Sequence, residues 1–311
     1  MEKIIGIDIG GTKINFACVQ RENIISEVIS CKTPDTAEEI LNSLCRGIFD
    51  LIEKYDAKGI GIATAGTVDL ENSKVTGSTG NLPKGYEKLE LKKVFTENFK
   101  LPVLIENDAN AAAFAEFKAG NAKGHLNTLT VTLGTGIGGG IIVDGKLLKG
   151  KTGAAAEVGH IPMTYEKLRK CSCGSWDCWE AYASGTGYAI NAKEIAQKIP
   201  PEKRQGILKN KVISELTTYD VIEGLKNNDF FSIKVHDVWE EYLSMGFASL
   251  INIFEPESIV LSGGMAKAVN YEALNSKIKE RIVIAETKLI PAQFENNAGI
   301  IGAALLLLEK L

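Results

Sequence analysis

Apolar residues in this chain fall in two rhythms. Short unbroken runs, Ile4 to Asp8, Ile14 to Gln20 and Ile24 to Ser30, follow one another with only tight turns between them, and a stretch with helical spacing comes next at Ala37 to Tyr55. This order predicts a β-β-β-α opening. Lys58 to Thr64 and Val103 to Glu106 read as further strands, apolar enough to be buried on both faces. Alanine-rich Asp108 to Ala119 reads as a helix with its aspartate at the start. The pattern then begins again: strands at Thr128 to Leu133 and Gly139 to Val143, helices at Gly185 to Lys198 and Ser232 to Ile253, and a strand at Ser258 to Leu261. The expectation is an α/β protein of two similar domains, 1–119 and 120–297, with the last helix in 298–311 returning to the first.

Composition narrows the function classes. A length of 311 residues suits two α/β domains, and 45% hydrophobic with 24% charged residues is ordinary for a globular enzyme. A formal net charge of −4 offers no electrostatic reason for nucleic-acid or membrane binding. Residues Met1 to Gly11 do not read as a signal peptide, and no apolar run approaches the ~20 residues of a membrane span. Cys18, Cys31 and Cys45 are scattered in apolar surroundings and read as reduced core residues, so a cytoplasmic location is expected.

The 31 glycines are concentrated where chemistry would need them. Asp8-Ile9-Gly10-Gly11-Thr12-Lys13 joins two strands; its glycines let backbone N–H groups approach an anion, and Asp8 can hold magnesium through water. Alone, this motif reads as a tight hairpin. Gly134-Thr135-Gly136-Ile137-Gly138-Gly139-Gly140 has the same strand–turn–strand setting in the second half, and two such turns could clamp a triphosphate. That pairing is the logic of the actin-like ATPase (ribonuclease H-like) fold, with a ligand cleft between its domains. Gly134, Gly136 and Gly139 also fit a dinucleotide fingerprint, and Gly145 to Thr152 fits P-loop spacing. Both signatures require a following helix; strand and turn residues follow the first, and Gly153 and Gly159 interrupt the second.

Glu106-Asn107-Asp108-Ala109-Asn110 ends a strand and starts a helix. A lone aspartate there would be an ordinary N-cap, but beside Asn107 it becomes a candidate to orient and deprotonate an attacking hydroxyl. His160 precedes Cys171, Cys173 and Cys178 in a loop rich in Gly, Ser and Asp, which seldom buries free thiols. Three thiols and an imidazole make a closed tetrahedral set for a structural zinc ion. His125 and His236 lack such context.

In combination and order, DIGGTK (Asp8 to Lys13), ENDAN (Glu106 to Asn110), LGTGIGGG (Leu133 to Gly140), EVGH (Glu157 to His160), CSCGSWDCWE (Cys171 to Glu180) and SGG (Ser262 to Gly264) resemble the ROK (repressor, open reading frame, kinase) family of bacterial sugar kinases and sugar-responsive regulators. The resemblance covers essentially the whole chain. It implies that Asp108 is the general base and that the two glycine turns (Gly10, Gly11, Thr12, Lys13; Gly134, Thr135, Gly136, Gly138, Gly139) bind ATP phosphates. It further implies that Asn107, Glu157, His160 and Glu180 bind sugar hydroxyls, with Gly66, Thr67, Thr79 and Asn81 as weaker matches on the opposite wall. Gly263 and Gly264 would lie near the adenosine, and His160 would serve both zinc and sugar. The chain departs from the family pattern at Ala65-Gly66, where a Pro-Gly turn is usual, at Asp177, where glycine is usual, and at Ala155-Ala156 in place of Ala-Gly.

The implied reaction is MgATP plus a hexose giving ADP and a hexose phosphate, at the 6-hydroxyl. Glucose is the first substrate expected, with fructose and N-acylmannosamine as rivals. A homodimer is a further family expectation. The other classes are a sugar-responsive transcription regulator, which would carry a DNA-binding domain ahead of Asp8 where only seven residues stand here, and a sugar sensor without catalysis.

Overall fold

The computed structural model describes residues 2–77, 82–209 and 211–311. The chain forms β1 (Lys3–Ile9), β2 (Lys13–Gln20), β3 (Asn23–Ile24), β4 (Ile29–Lys32), α1 (Ala37–Tyr55), β5 (Gly59–Thr64), β6 (Thr67–Val68), β7 (Val75–Gly77), α2 (Leu91–Phe99), β8 (Val103–Asn107) and α3 (Asp108–Lys118). It continues with β9 (Thr128–Leu133), β10 (Ile137–Val143), β11 (Lys146–Leu147), α4 (Glu180–Ala183), α5 (Gly185–Gln197), α6 (Thr218–Lys226), α7 (Phe230–Phe254), β12 (Ser258–Ser262), α8 (Tyr271–Lys279), β13 (Lys288–Pro291) and α9 (Ala298–Leu308). The strand predicted over 24–30 is two pieces, β3 and β4, both paired antiparallel with β2. The break is physical: Ser26 Oγ accepts from Cys18 N–H at 2.8 Å, so a side chain replaces one rung of the ladder.

The first sheet has the order β3-β2-β1-β5-β8, with β4 also on β2. β1 and β2 are antiparallel, whereas β1, β5 and β8 run parallel, in register Asp8↔Ala63 and Ala63↔Glu106. Its two faces follow the period of two. Ile5, Ile7 and Ile9 share a buried cluster with Ile40, Leu44, Ile48 and Leu51 of α1, while Ile4 clusters with Phe114 of α3 and Ile300, Ala303 and Leu307 of α9. Burying each aliphatic side chain is worth roughly 1.5–3 kcal/mol before entropy is counted. The second sheet has the order β11-β10-β9-β12-β13.

Two compact units result: 1–131 with 139–156 and 290–311, and 132–138 with 157–289. The sequence reading places divides after residue 119 and before residue 298, whereas the chain passes between these units four times. Among the described residues, no helix is long and apolar enough to cross a membrane, and the six cysteines are free.

Candidate active site

In the first unit, the Asp8–Lys13 motif closes the β1–β2 hairpin, with Gly10 N–H donating to Lys13 O at 3.0 Å. Thr33 steadies the turn from outside: its hydroxyl donates to Gly10 O at 2.6 Å and its N–H donates to Thr12 O at 3.0 Å. Asp8 follows Ile4 and Gly6 on the sheet face that meets α9. A Cβ on Gly299, in the first turn of α9, would lie 2.9 Å from the Asp8 carboxyl carbon. Burial and then the neighbouring Asp108 raise the Asp8 carboxyl to about 7, against opposing pulls from Lys13 and Asn15.

Asp108 is the first helical residue of α3, and the cap is its neighbour. Asn107 Oδ1 accepts from the N–H groups of Ala109 at 2.9 Å and Asn110 at 3.1 Å. Asn107 Nδ2 donates to Gly66 O at 3.0 Å. The side-chain oxygen is therefore engaged by the helix, and the amide ties two predicted sugar-binding positions together. Thr67 opens β6 beside Gly66, opposite Gly77 on β7. Thr79 and Asn81 lie outside the described residues. Asp108 Oδ1 accepts from Ala109 N–H at 2.9 Å, which leaves the half-buried carboxylate at the positive end of α3.

The residues after Gly134-Thr135-Gly136 enter strand β10, and Gly145 to Thr152 opens no α-helix, so neither rejected nucleotide signature has its required context. The turn is anchored to the start of α5: Gly185 N–H donates to Gly134 O at 2.8 Å, and Thr186 Oγ1 donates to Thr135 O at 2.9 Å. Gly263, with φ +89°, fits against Leu133, where a Cβ would meet the carbonyl oxygen at 2.4 Å. Gly264 follows it with open space around its Cβ position. Glu180 reaches the turn from the other side, its Oε2 accepting from Ile137 N–H at 2.9 Å, and a Cβ on Gly136 would collide with that oxygen. Gly138 N–H donates to Thr132 Oγ1 at 3.1 Å, and Gly139 continues β10.

The cysteine loop adjoins Glu180. Ser172 Oγ donates to Glu180 Oε1 at 2.8 Å, with Cys171 Sγ 3.6 Å from the same oxygen. The ligand atoms of His160, Cys171, Cys173 and Cys178 all lie within 4.8 Å of one another. Cys173 and Cys178 sulfurs are 3.7 Å apart, as are Cys171 Sγ and His160 Nδ1. A tetrahedron with metal–sulfur bonds of about 2.3 Å has edges of about 3.8 Å, so the set fits. Burial and the neighbouring thiols push Cys178 up to about 12, whereas Cys173 is held below its ordinary value, despite some burial, by the Ser175 N–H. The three sulfurs thus compete for negative charge, which a dication would let all of them carry. His160 Nε2 faces Glu157 Oε2 at 3.8 Å, so the imidazole stands between the thiols and an exposed carboxylate.

The structure thus gathers Asp8, the first glycine turn, Gly66, Thr67, Asn107 and Asp108 in the first unit, and the second turn through Gly138, Glu157, His160, Glu180, Gly263, Gly264 and the cysteines in the second. Sequence reading missed Thr33, Gly299 and Thr186. Only Thr186 left a local signal: it stands between glycines in Ser184-Gly185-Thr186-Gly187, where Ser184 caps α5.

A profile described as the ROK family matches residues 4–310. A glucokinase from Streptomyces coelicolor is 34% identical over 312 residues, covering 96% of each chain. A ROK family glucokinase from Streptomyces griseus, solved in complex with glucose and AMPPNP, is 33% identical with a TM-score of 0.80 over 98% of each chain. The ROK hexokinase from Thermus thermophilus is 28% identical with a TM-score of 0.82, covering 99% of this chain and 100% of that one. With these neighbours and its mixed α/β sheets, the chain has the actin-like ATPase fold. It belongs to the ROK family.

Proposed function

We propose that this protein is an ATP-dependent hexose kinase that phosphorylates glucose at its 6-hydroxyl, with Asp108 as general base. The observation that carries the reading is the pair of carboxylates at the C-terminal ends of parallel strands. Asp8 is the penultimate residue of β1, and Asp108 follows β8 two strands away, about 10 Å across the sheet. The two are close enough for Asp108 to help raise Asp8. One carboxylate suits the nucleophile and the other suits the cation of MgATP.

In the forward reaction, Asp108 accepts the proton of the sugar hydroxyl as its oxygen bonds to the γ-phosphorus, and the bond to the β-phosphate oxygen of ADP breaks. N–H groups of the two glycine turns donate to phosphate oxygens where charge builds. Magnesium would supply charge neutralisation at the phosphates, and Asp8 is the residue that would hold it. Asn107, Glu157, His160 and Glu180 orient the sugar, supported by Gly66, Thr67, Thr79 and Asn81. His160, Cys171, Cys173 and Cys178 hold zinc in a structural role, and Gly263 and Gly264 flank the adenosine. The lack of a disulfide among the six cysteines supports a reducing, cytoplasmic setting.

The test is ADP release from MgATP across glucose, fructose, mannose, N-acetylglucosamine and N-acetylmannosamine. Turnover should be highest with glucose and fall at least about 100-fold in Asp108→Asn. Turnover that survives Asp108→Asn, or sugar binding without ADP release, would overturn the reading.

A further inference from the structure

We propose that Glu106, clamped by Lys149 and Asn72, is a positioning residue that holds Asn107 and Asp108 in register with the hairpin opposite them. This rests on the reading of Asp108 as the base. Glu106 is only 2% exposed, and a buried carboxylate must be paired or it destabilises the fold. Its Oε1 accepts from Asn107 N–H at 3.0 Å and Asn110 Nδ2 at 3.1 Å. Its Oε2 accepts from Asn72 Nδ2 at 2.9 Å and Lys149 Nζ at 2.5 Å. The first two donors bracket Asp108 in sequence, so the carboxylate straddles the junction that aims it.

The other two donors arrive from distant segments. Asn72, 2% exposed with φ +54°, lies between β6 and β7, in a left-handed conformation that asparagine tolerates. It docks on β8 twice: its carbonyl accepts from Ile105 N–H at 3.2 Å, and its Nδ2 donates to Ile105 O at 2.7 Å. Its Oδ1 accepts from Lys149 at 3.0 Å and Lys310 at 2.9 Å. The β6 end of the same hairpin begins just after Gly66, whose carbonyl accepts from Asn107. Contacts therefore close a ring from Glu106 through Asn72 and the hairpin to Gly66, Asn107 and back. A buried ion pair is a poor way to gain stability, since apolar residues of similar volume often do as well. Four directed donors around one carboxylate instead fix a geometry, which is what a base within reach of a hydroxyl requires.

The experiment compares Lys149→Met, Lys149→Arg, Glu106→Gln and Asp108→Asn in the full chain. Each is assayed with the best sugar below its own unfolding midpoint and normalised to folded protein. Lys149→Met should lower kcat by about 10- to 100-fold, with KM for ATP within about threefold, and Lys149→Arg should recover most of the loss. Glu106→Gln keeps the shape and loses the charge; it serves in place of Lys149→Met should that variant fail to fold, and should show the same split. Unchanged kcat per folded molecule in Lys149→Met and Glu106→Gln, with only the unfolding midpoint lowered, would overturn the proposal while Asp108→Asn remained inactive. Full activity in Asp108→Asn would instead remove the reading on which it stands.

Discussion

Ala156 and Asp177 adopt the same left-handed backbone at two positions where glycine is usual in the family pattern, with φ +67° and +56°. Their energetics have opposite signs. Ala156 sets only a methyl group against a conformation costing about 1–2 kcal/mol, so Ala156→Gly should stabilise by about 0.5–1 kcal/mol after the extra chain entropy of glycine. Asp177 is buried, and its carboxylate accepts from Leu168 N–H at 3.0 Å, Arg169 N–H at 2.7 Å and Tyr182 Oη at 2.6 Å. These donors outweigh burial and hold its carboxyl below the ordinary range. Asp177→Gly relaxes the backbone but strands three donors, and should destabilise by more than about 2 kcal/mol. Denaturant titrations of both variants check the pair; the same sign for both would refute the argument. Asp8 supplies a pH dependence. Its folded-state carboxyl is raised from 3.8 to about 7, so the folded state binds the proton more tightly than the unfolded chain does. Ionisation therefore costs stability as pH rises from about 4 to 7, and the penalty is complete above that. Without nucleotide, Asp8→Asn should unfold at a higher temperature than the wild type at pH 8, with no gain at pH 4, while losing kinase activity. An equal gain at both pH values would contradict the burial of that charge.

At the scale of elements, α9 shows what close packing demands of a sheet. A Cβ on Gly6 would lie 2.4 Å from Ile300 O, and one on Gly61 would lie 2.3 Å from Ala303 O. The strands thus give up side chains so that the helix can lie on the backbone and bring its first turn to Asp8. Gly61→Ala should cost about 1–3 kcal/mol by overpacking and lower thermal stability accordingly; a variant as stable as the wild type would show that the contact can relax. Long apolar runs made β1, β2, β5, β8 and β9 legible in the sequence, and α1, α3 and α9 also kept their expected places. β6, β7, α2, α6 and α8 are nine residues or shorter and left no period long enough to read. The chemical motifs were legible because each is local. The clamp on Glu106 was not, because Lys149 is 43 residues away and Asn72 is 34, and no local pattern encodes such a meeting. The capping role of Asn107 was hidden for a related reason: the motif marks it as a polar residue beside Asp108, and only the fold shows the α3 backbone donating to its side-chain oxygen.

For the molecule as a whole, the residues of one proposed reaction are divided between two units. Asp108 and Asp8, the proposed base and cation anchor, belong to the first, while Glu157, His160, Glu180 and the three cysteines of the loop belong to the second. In the second unit, Glu180 connects the cysteine loop, through Ser172, to the glycine turn, through Ile137. His160 likewise connects Cys171 to Glu157. Removing a metal from the four-residue set would release the imidazole and slacken the loop under Glu180, so both proposed sugar ligands would lose their bearings together. The protein as purified should carry one zinc per chain by elemental analysis. Stripping it with a chelator should raise KM for the sugar by about tenfold or more, the range seen when groups supporting a site are removed. Zinc should restore the original value and magnesium should not. Cys173→Ser should reproduce the chelated state, because Cys173 is the exposed ligand and its replacement disturbs the core least. If chelated protein kept its KM while losing only thermal stability, the loop would be a staple for the fold, and Glu180 would be held by Ile137 alone.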